Sequence, residues 1–324
     1  MEGHLLEVRG LSISFTQYEK GLHQTELPVI RDLNVTVDRG ELVAVIGSSG
    51  SGKSLLAHAV MGLLPYNASS SGEMLYQGEP LTESRKRELR GRNIVLVPQS
   101  VSYLDPLMQV GEQVRKGKKG PAILEKCRRV LGSYGLGPET EPLYPFQLSG
   151  GMTRRVLIST AVMEEPELVI ADEPTPGLHL EAARRVLGHF REMAEQGAGV
   201  LLITHDLELA LQVADRVVVL YAGTAIEETD SRSFSREETL YHPYTRALYR
   251  AMPEHGFSSV PGNQPYVKEL PSGCPYRPRC ERAKGECAGE VPFERTDRGG
   301  VRCLRWREWA FGQEEPSLRE EAAL

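Results

Sequence analysis

Gly47-Ser48-Ser49-Gly50-Ser51-Gly52-Lys53-Ser54 is the most informative segment of this 324-residue sequence. The preceding residues, 42–46, are apolar and largely β-branched, which predicts a short buried strand. The next residues, 55–64, predict an apolar helix. A strand, a glycine-rich turn of the form G-x-x-x-x-G-K-[ST] and a helix together predict a phosphate-binding loop, whereas a chance match would lack this context.

The residue types of this loop suit a nucleoside triphosphate. Glycines allow backbone N–H groups to turn inward toward phosphate oxygens, and the helix N-terminus adds a partial positive charge. Lys53 is expected to reach the β- and γ-phosphates, and Ser54 to ligate Mg²⁺. We therefore predict that the nucleotide is bound by Gly47, Ser48, Ser49, Gly50, Ser51, Gly52, Lys53 and Ser54.

The composition argues against two other classes of protein. A net charge of −6 and a pI of about 5.9 argue against broad nucleic-acid binding, because proteins that bind nucleic acids usually carry an excess of basic residues. No apolar run approaches the roughly 20 residues that span a bilayer, and the first ten residues do not resemble a secretory signal. We expect the chain to stay in the cytosol, without a direct membrane span, and to reach any membrane through a partner.

Two further apolar runs end in groups suited to hydrolysis. Residues 168–171 lead into Asp172, a predicted Mg²⁺ ligand, and Glu173, a predicted general base that polarises the attacking water. Adjacent acids alone are equally typical of a solvated turn, so this assignment depends on the phosphate loop. His205 comes directly after the apolar run 199–204, at a strand end where ligands bind in parallel sheets, and is expected near the γ-phosphate.

The segment Leu148-Ser149-Gly150-Gly151-Met152 opens a predicted helix and provides a second anion cradle. It resembles the signature motif of ABC transporter ATP-binding subunits, and the resemblance covers about residues 5–230. In that family the cradle, here Ser149, Gly150 and Gly151, binds the γ-phosphate of ATP held by the opposite subunit. The resemblance therefore implies an ATPase whose active sites are completed by a second subunit.

The resemblance implies further site residues. Gln99 resembles the glutamine that senses Mg²⁺ and the γ-phosphate and connects to the membrane subunit. Phe15 or Tyr18 is expected to stack on adenine. The implied catalytic residues are Lys53, Gln99, Glu173 and His205, and the implied Mg²⁺ ligands are Ser54, Gln99 and Asp172.

The implied fold is α/β. It has a parallel core sheet with flanking helices, an N-terminal antiparallel β portion, an inserted helical subdomain at about residues 102–160 and a small Cys-rich C-terminal extension. The cassette is expected to cover residues 1–235 and the extension residues 236–312. Residues 313–324 are acidic, contain a proline and are expected to be a disordered tail.

One position departs from the family pattern. His179 stands where most relatives carry the aspartate that organises the dimer contact. We hypothesise that the two composite ATP sites are unequal, and that the partner ATPase is a different chain.

The C-terminal extension begins with the segment 241–248, YHPYTRAL. It resembles the H-P-Y-T segment of oligopeptide, dipeptide and nickel transport ATPases, although Pro at a first helical turn is common in any protein. This resemblance implies an importer of peptides or nickel-like solutes at the cytoplasmic face of the membrane. Its partners would be a second ABC ATPase subunit, two membrane permease subunits and an extracytoplasmic solute-binding protein.

Four of the five cysteines fall within the extension, at Cys274, Cys280, Cys287 and Cys303. The fifth, Cys127, is predicted to be a lone buried thiol. The extension has little apolar mass for a core of its own, and a metal would supply stability. Four thiolates suit structural Zn²⁺ or an iron–sulfur cluster, and unliganded thiols are the third possibility. The absence of a C-x₂-C knuckle, together with the family resemblance, favours a [4Fe–4S] cluster.

Two other interpretations of the chain's function remain open from the sequence. A soluble ABC protein of translation or DNA repair would normally carry two cassettes or a long coiled coil, and this chain has one phosphate loop and no sustained heptads. A regulatory iron–sulfur subunit with weak ATPase activity is favoured by His179 alone. The intact Lys53, Asp172, Glu173 and His205 argue against it.

Overall fold

The computed structural model describes residues 3–18, 23–258 and 261–310. Within these ranges two β-sheets form the framework. The strands, in chain order, are β1 (Leu6–Tyr18), β2 (Gln24–Val37), β3 (Leu42–Gly47), β4 (Ala68–Tyr76), β5 (Glu79–Pro80), β6 (Ile94–Val97), β7 (Leu168–Asp172), β8 (Gly199–Thr204), β9 (Arg216–Tyr221), β10 (Thr224–Asp230), β11 (Glu294–Thr296) and β12 (Gly299–Val301).

Along the chain, the α-helices of the described ranges come mostly between strands of the larger sheet. They are α1 (Lys53–Met61), α2 (Glu83–Leu89), α3 (Val110–Val114), α4 (Pro121–Ser133), α5 (Gly150–Val162), α6 (Leu180–Glu195), α7 (Leu207–Leu211), α8 (Pro243–Ala251) and α9 (Trp306–Ala310). None of the described helices combines the length and apolar character needed to cross a membrane.

The smaller sheet is antiparallel, with strand order β2-β1-β4-β5. Leu6, Val8, Leu11 and Ile13 of β1 are buried and lie among more exposed residues. This near-alternation is typical of a sheet with one face on a core. The N-terminal antiparallel portion predicted from the sequence is therefore present.

The larger sheet has strand order β11-β12-β10-β9-β3-β8-β7-β6, and the five strands from β9 to β6 are parallel. The strands β3, β7 and β8 are buried along their whole length, which explains their continuous apolar runs. All three were predicted from the sequence. Because their carboxyl ends meet at one edge, the residues directly after them are brought together.

The helix after the phosphate loop, α1, starts two residues earlier than the apolar pattern suggested. Lys53 and Ser54 form its first turn, and the helix ends where Gly62 adopts a left-handed φ of 62°. Gly62 therefore acts as a C-cap, a position where a side chain would be strained. The early start places Lys53 and Ser54 at the N-terminus, where phosphate is attracted.

The chain between β6 and β7 contains α3, α4 and α5, which bury a separate apolar cluster. Its centre includes Val110, Cys127, Leu131 and Val156. Cys127 is fully buried and burial raises the pKa of its thiol, so the sequence prediction of a buried thiol is confirmed. These helices overlap the predicted helical subdomain, residues 102–160.

The chain after β10 is built onto the larger sheet. Strand β12 pairs antiparallel with β10, and β11 pairs with β12. Tyr244 and Tyr276 belong to the same apolar core as the parallel strands. The extension is therefore stabilised by packing against the core of the larger sheet. The predicted tail, residues 313–324, lies outside the described residues.

Candidate active site at the carboxyl ends of the parallel strands

The phosphate loop is closely packed at two of its glycines. A Cβ at Gly47 would lie 2.3 Å from the carbonyl oxygen of Leu220, the last residue but one of β9. Gly52 has a φ of 93°, and a Cβ there would lie 3.1 Å from the Ile30 side chain. The loop is therefore held against β9 on one side and β2 on the other, which fixes its path.

Lys53 lies inside the loop with only 6 % of its surface exposed. Its Nζ donates hydrogen bonds to the carbonyl oxygens of Gly47, at 2.7 Å, and Ser48, at 3.1 Å. Burial lowers the pKa of Lys53, and the charges of Glu173 and Asp172 oppose this effect. The ammonium group is thus oriented by the loop itself, and the strand-end acids favour its charged form.

Ser54 and Asp172 are in direct contact. The Ser54 Oγ–H donates to Asp172 Oδ1 at 3.0 Å, and Asp172 is 4 % exposed. The pKa of Asp172 is raised, mainly by burial, while the Ser54 hydrogen bond lowers it. Gln99 is exposed and comes shortly after β6, the neighbour of β7, so it belongs to the same edge of the sheet. A hydroxyl, a carboxylate and an amide oxygen form a donor set that fits Mg²⁺.

Glu173 and His205 form a second pair beside the first. His205 Nδ1 lies 2.9 Å from Glu173 Oε2, and Thr204 Oγ1 lies 3.5 Å from the same oxygen. Glu173 has a φ of 47°, a left-handed conformation, and its N–H donates to the Ile203 carbonyl at 2.8 Å. A non-glycine residue in this conformation costs on the order of 1–3 kcal/mol and is often found at functional sites.

The second anion cradle lies at the N-terminus of α5. Ser149 is the N-cap, and its Oγ accepts a hydrogen bond from the Met152 N–H at 3.3 Å. Ser149 and Gly150 are exposed, and Gly151 is half-buried against Leu178. The backbone N–H groups of this first turn are therefore open to an anion approaching from outside the chain.

His179 takes the N-cap position of α6. Its Nδ1 accepts a hydrogen bond from the Ala182 N–H at 3.4 Å, and the side chain is exposed. The histidine thus performs the capping that an aspartate at this position would also provide. Its effect on a dimer contact stays a prediction.

The two aromatic residues predicted to stack on adenine both lie on β1. Phe15 is half-buried and packs against the core beneath the smaller sheet. Tyr18 is 66 % exposed, and its hydroxyl accepts a hydrogen bond from Gln24 Nε2 at 2.8 Å. Tyr18 therefore presents the more accessible ring.

Three residues around the site carried no recognised signal in the sequence. Arg154 of α5 is 6 % exposed, and its Nη1 donates to the Pro98 carbonyl at 2.9 Å, which joins the cradle helix to the segment of Gln99. Gln264 and Tyr244 reach Ser48 of the phosphate loop from the C-terminal extension. Tyr244 belongs to the H-P-Y-T segment, but nothing in that motif indicates contact with a phosphate loop.

The start of the H-P-Y-T segment is held by a buried carboxylate. Glu227 accepts hydrogen bonds from the backbone N–H groups of Tyr241, at 2.6 Å, and His242, at 2.8 Å. His242 is the N-cap of α8 and accepts from the Tyr244 N–H at 3.0 Å, while Pro243 is the first helical residue. The motif is therefore a helix start fixed against β10.

The four C-terminal cysteines line one pocket, together with His242 and Tyr276 among others; they are Cys274, Cys280, Cys287 and Cys303. Burial raises the pKa of Cys274 to about 11 and that of Cys303 to about 12. Within the part of the chain that the structure describes, no group of three or more His, Cys, Asp or Glu side chains is arranged to hold a metal ion. The Zn²⁺ and [4Fe–4S] predictions are therefore not supported by the structure.

Comparison with known proteins agrees with the fold. The family model described as ABC transporter matches residues 30–176, and the model described as oligopeptide/dipeptide transporter, C-terminal region, matches residues 226–287. The oligopeptide transport ATP-binding protein OppD of Salmonella typhimurium is 33 % identical over 317 residues, covering 92 % of this chain and 92 % of that protein. The dipeptide transport ATP-binding protein DppD of Escherichia coli is 33 % identical, with 89 % and 92 % covered.

Solved structures show the same fold. A dimeric bacterial ABC transporter cassette has a TM-score of 0.61 at 23 % identity and covers 70 % of this chain and 99 % of its own. An ATP-binding subunit of an ABC transporter has a TM-score of 0.58 at 28 % identity, covering 72 % and 92 %. The chain therefore belongs to the ABC transporter family, among the ATP-hydrolysing subunits related to oligopeptide and dipeptide transport ATP-binding proteins.

Proposed function

We propose that this chain binds and hydrolyses ATP to power the import of peptides across the cytoplasmic membrane. The observation that carries the hydrolytic part is the 2.9 Å contact between His205 and Glu173, directly beside the Ser54–Asp172 pair. The peptide part rests on the relatives, whose names specify oligopeptide and dipeptide transport. Peptides are for this reason favoured over nickel-like solutes, and transport over the soluble and purely regulatory alternatives.

Nucleotide binding is divided among three groups of residues in this proposal. The backbone N–H groups of residues 47–54 bind the phosphates, Lys53 contacts the β- and γ-phosphates, and Tyr18, or less favourably Phe15, stacks on adenine. Ser54, Asp172 and Gln99 would hold Mg²⁺, which neutralises charge on the phosphates when it is bound.

Glu173 accepts the proton of the attacking water, whose oxygen bonds to the γ-phosphorus while the bond to ADP breaks. His205 holds the Glu173 carboxylate in place through its Nδ1, and its other ring nitrogen is free to face the γ-phosphate. The strained backbone of Glu173 keeps the carboxylate at the strand end, where it is 6 % exposed and little able to rotate away.

A second ATPase subunit would complete each site. Ser149, Gly150 and Gly151 lie at an open helix N-terminus and would bind the γ-phosphate on the partner's loop. The helices α3–α5 would form the subdomain that contacts one of two permease subunits at the cytoplasmic face of the membrane. An extracytoplasmic solute-binding protein would deliver the peptide. His179 favours a partner ATPase of different sequence.

Replacing Glu173 by Gln tests the catalytic assignment. Loss of a general base should lower kcat by about 10²–10⁴-fold while ATP still binds, and a closed, ATP-bound dimer should accumulate on size-exclusion chromatography. Glu165→Gln is a matched control, because Glu165 is also left-handed, with a φ of 54°, but is exposed. Turnover of Glu173→Gln equal to that of the control would remove Glu173 from the mechanism.

A further inference from the structure

The C-terminal extension reaches the phosphate loop through Gln264. Gln264 Oε1 accepts a hydrogen bond from the Ser48 Oγ–H at 2.5 Å and a second from the Ala222 N–H at 3.3 Å. Ser48 is the second residue of the loop, and its carbonyl also accepts from Lys53 at 3.1 Å. Ser48 is therefore held between Lys53 on one side and Gln264 on the other.

The turn that Gln264 contacts supports the loop at a second point. Ala222 and Gly223 connect β9 to β10, and the Gly223 N–H donates to the Ser51 carbonyl at 3.1 Å. A Cβ at Gly223 would lie 1.9 Å from the Val29 carbonyl oxygen, and the Gly223 carbonyl accepts from the Arg31 N–H at 2.9 Å, so this turn packs closely against β2. Gln264 thus links one end of the loop to a closely packed turn that also hydrogen-bonds to the middle of the loop.

A second side chain of the extension converges on the same residue. Burial raises the pKa of Tyr244, and hydrogen bonding with Ser48 opposes this rise. The Tyr244 ring packs 4.6 Å from that of Tyr221 and 5.4 Å from that of Tyr276, centroid to centroid. Tyr244 is 5 % exposed, so the core fixes its position.

We infer that Gln264 and Tyr244 are positioning residues of the nucleotide site, which hold Ser48 so that the loop keeps its phosphate-binding shape. The inference rests on the proposed binding of ATP. Because the loop cradles the phosphates, the residues act on nucleoside di- and triphosphates alike and have no part in proton transfer. They should alter nucleotide affinity and leave the chemical step unchanged.

The first test is Gln264→Ala in the full-length chain. Loss of one or two hydrogen bonds to a partly buried group corresponds to a weakening of ATP and ADP binding by about three- to tenfold. The KM for ATP should rise similarly, while kcat at saturating ATP stays within about twofold. Asn263→Ala is the matched control, since Asn263 is the exposed neighbour in the same segment. Nucleotide affinity is measured by titration and KM and kcat by steady-state hydrolysis.

A double variant tests whether Gln264 acts through Ser48. If it does, Gln264→Ala and Ser48→Ala combined should weaken ADP binding no more than the stronger single variant. Tyr244→Phe, which keeps the ring in the core, should weaken ADP binding in the same direction. Equal affinities of Gln264→Ala and Asn263→Ala, or fully additive effects with Ser48→Ala, would overturn the inference. Failure of the wild-type chain to bind ATP would instead overturn the proposed function.

Discussion

Arg216 joins the two sheets, and its loss should destabilise the whole fold without touching the nucleotide. Its guanidinium pairs with both oxygens of Glu41, at 2.9 and 3.1 Å, and with Glu228, and it donates to the Thr36 carbonyl at 2.8 Å. The side chain of Arg216 is 15 % exposed and that of Glu228 is 9 % exposed. Strand β9 is thereby linked to β2, to the start of β3 and to β10.

The size of the effect is set by this burial. Arg216→Met keeps the apolar stem but leaves two poorly hydrated carboxylates and a carbonyl without their donor. Removing one partner of a buried ion pair costs about 3–5 kcal/mol of the free energy of unfolding. Arg9→Met is the control, because the Arg9 side chain is 54 % exposed and pairs with Glu73, which is 51 % exposed, and such exposed pairs contribute about 0–1 kcal/mol.

Denaturant unfolding of the full-length chain, with and without ATP, measures both variants. Adding Glu228→Gln to Arg216→Met should recover part of the loss, since one stranded charge is removed. ATP affinity of the folded Arg216→Met variant should equal that of the wild type. Equal stability losses for Arg216→Met and Arg9→Met, or a further loss in the double variant, would refute the reasoning.

Three other substitutions separate local from intersubunit roles. Gly47→Ala should weaken ATP binding by more than about 100-fold, because its Cβ meets the Leu220 carbonyl at 2.3 Å; near-normal binding in a titration would contradict this steric argument. Gly150→Ala should leave ATP binding to the isolated chain unchanged, since nothing lies within 4 Å of the added Cβ, but should reduce hydrolysis by the assembled complex at least about tenfold. His179→Asp should keep the stability of α6, because Asp is also an N-cap, and should raise the rate or cooperativity of the complex; unchanged kinetics would reject unequal sites.

The core strands and the strand-end residues were predictable because their signals are local. The apolar runs of β3, β7 and β8 each occupy a few consecutive residues, and neighbouring parallel strands necessarily bring their carboxyl-terminal residues to one edge. Asp172, Glu173 and His205 could thus be assigned to one edge before any distance was known.

The contacts made by the C-terminal extension were not predictable in this way. Gln264 is 216 residues from Ser48 in sequence and lies in a short stretch rich in Pro, Gly and polar residues, without periodicity. The pairing of β12 with β10 involves only three residue pairs, too few for a recognisable strand pattern. The left-handed backbone of Glu173 could not be predicted either, because a glutamate in a sequence does not indicate a positive φ.

The same packing affects how variants of the cysteines should be interpreted. Tyr276 lines the cysteine pocket and also packs 5.4 Å from Tyr244, which interacts with Ser48. A cysteine substitution that lets Tyr276 shift would therefore weaken nucleotide binding by packing alone. A loss of ATP affinity in such a variant does not by itself show that a metal or a redox change acts on the ATPase. The two causes, packing and a bound metal or redox change, are separated only by a variant that removes cysteine thiols while Tyr244 and Gln264 keep their positions beside Ser48.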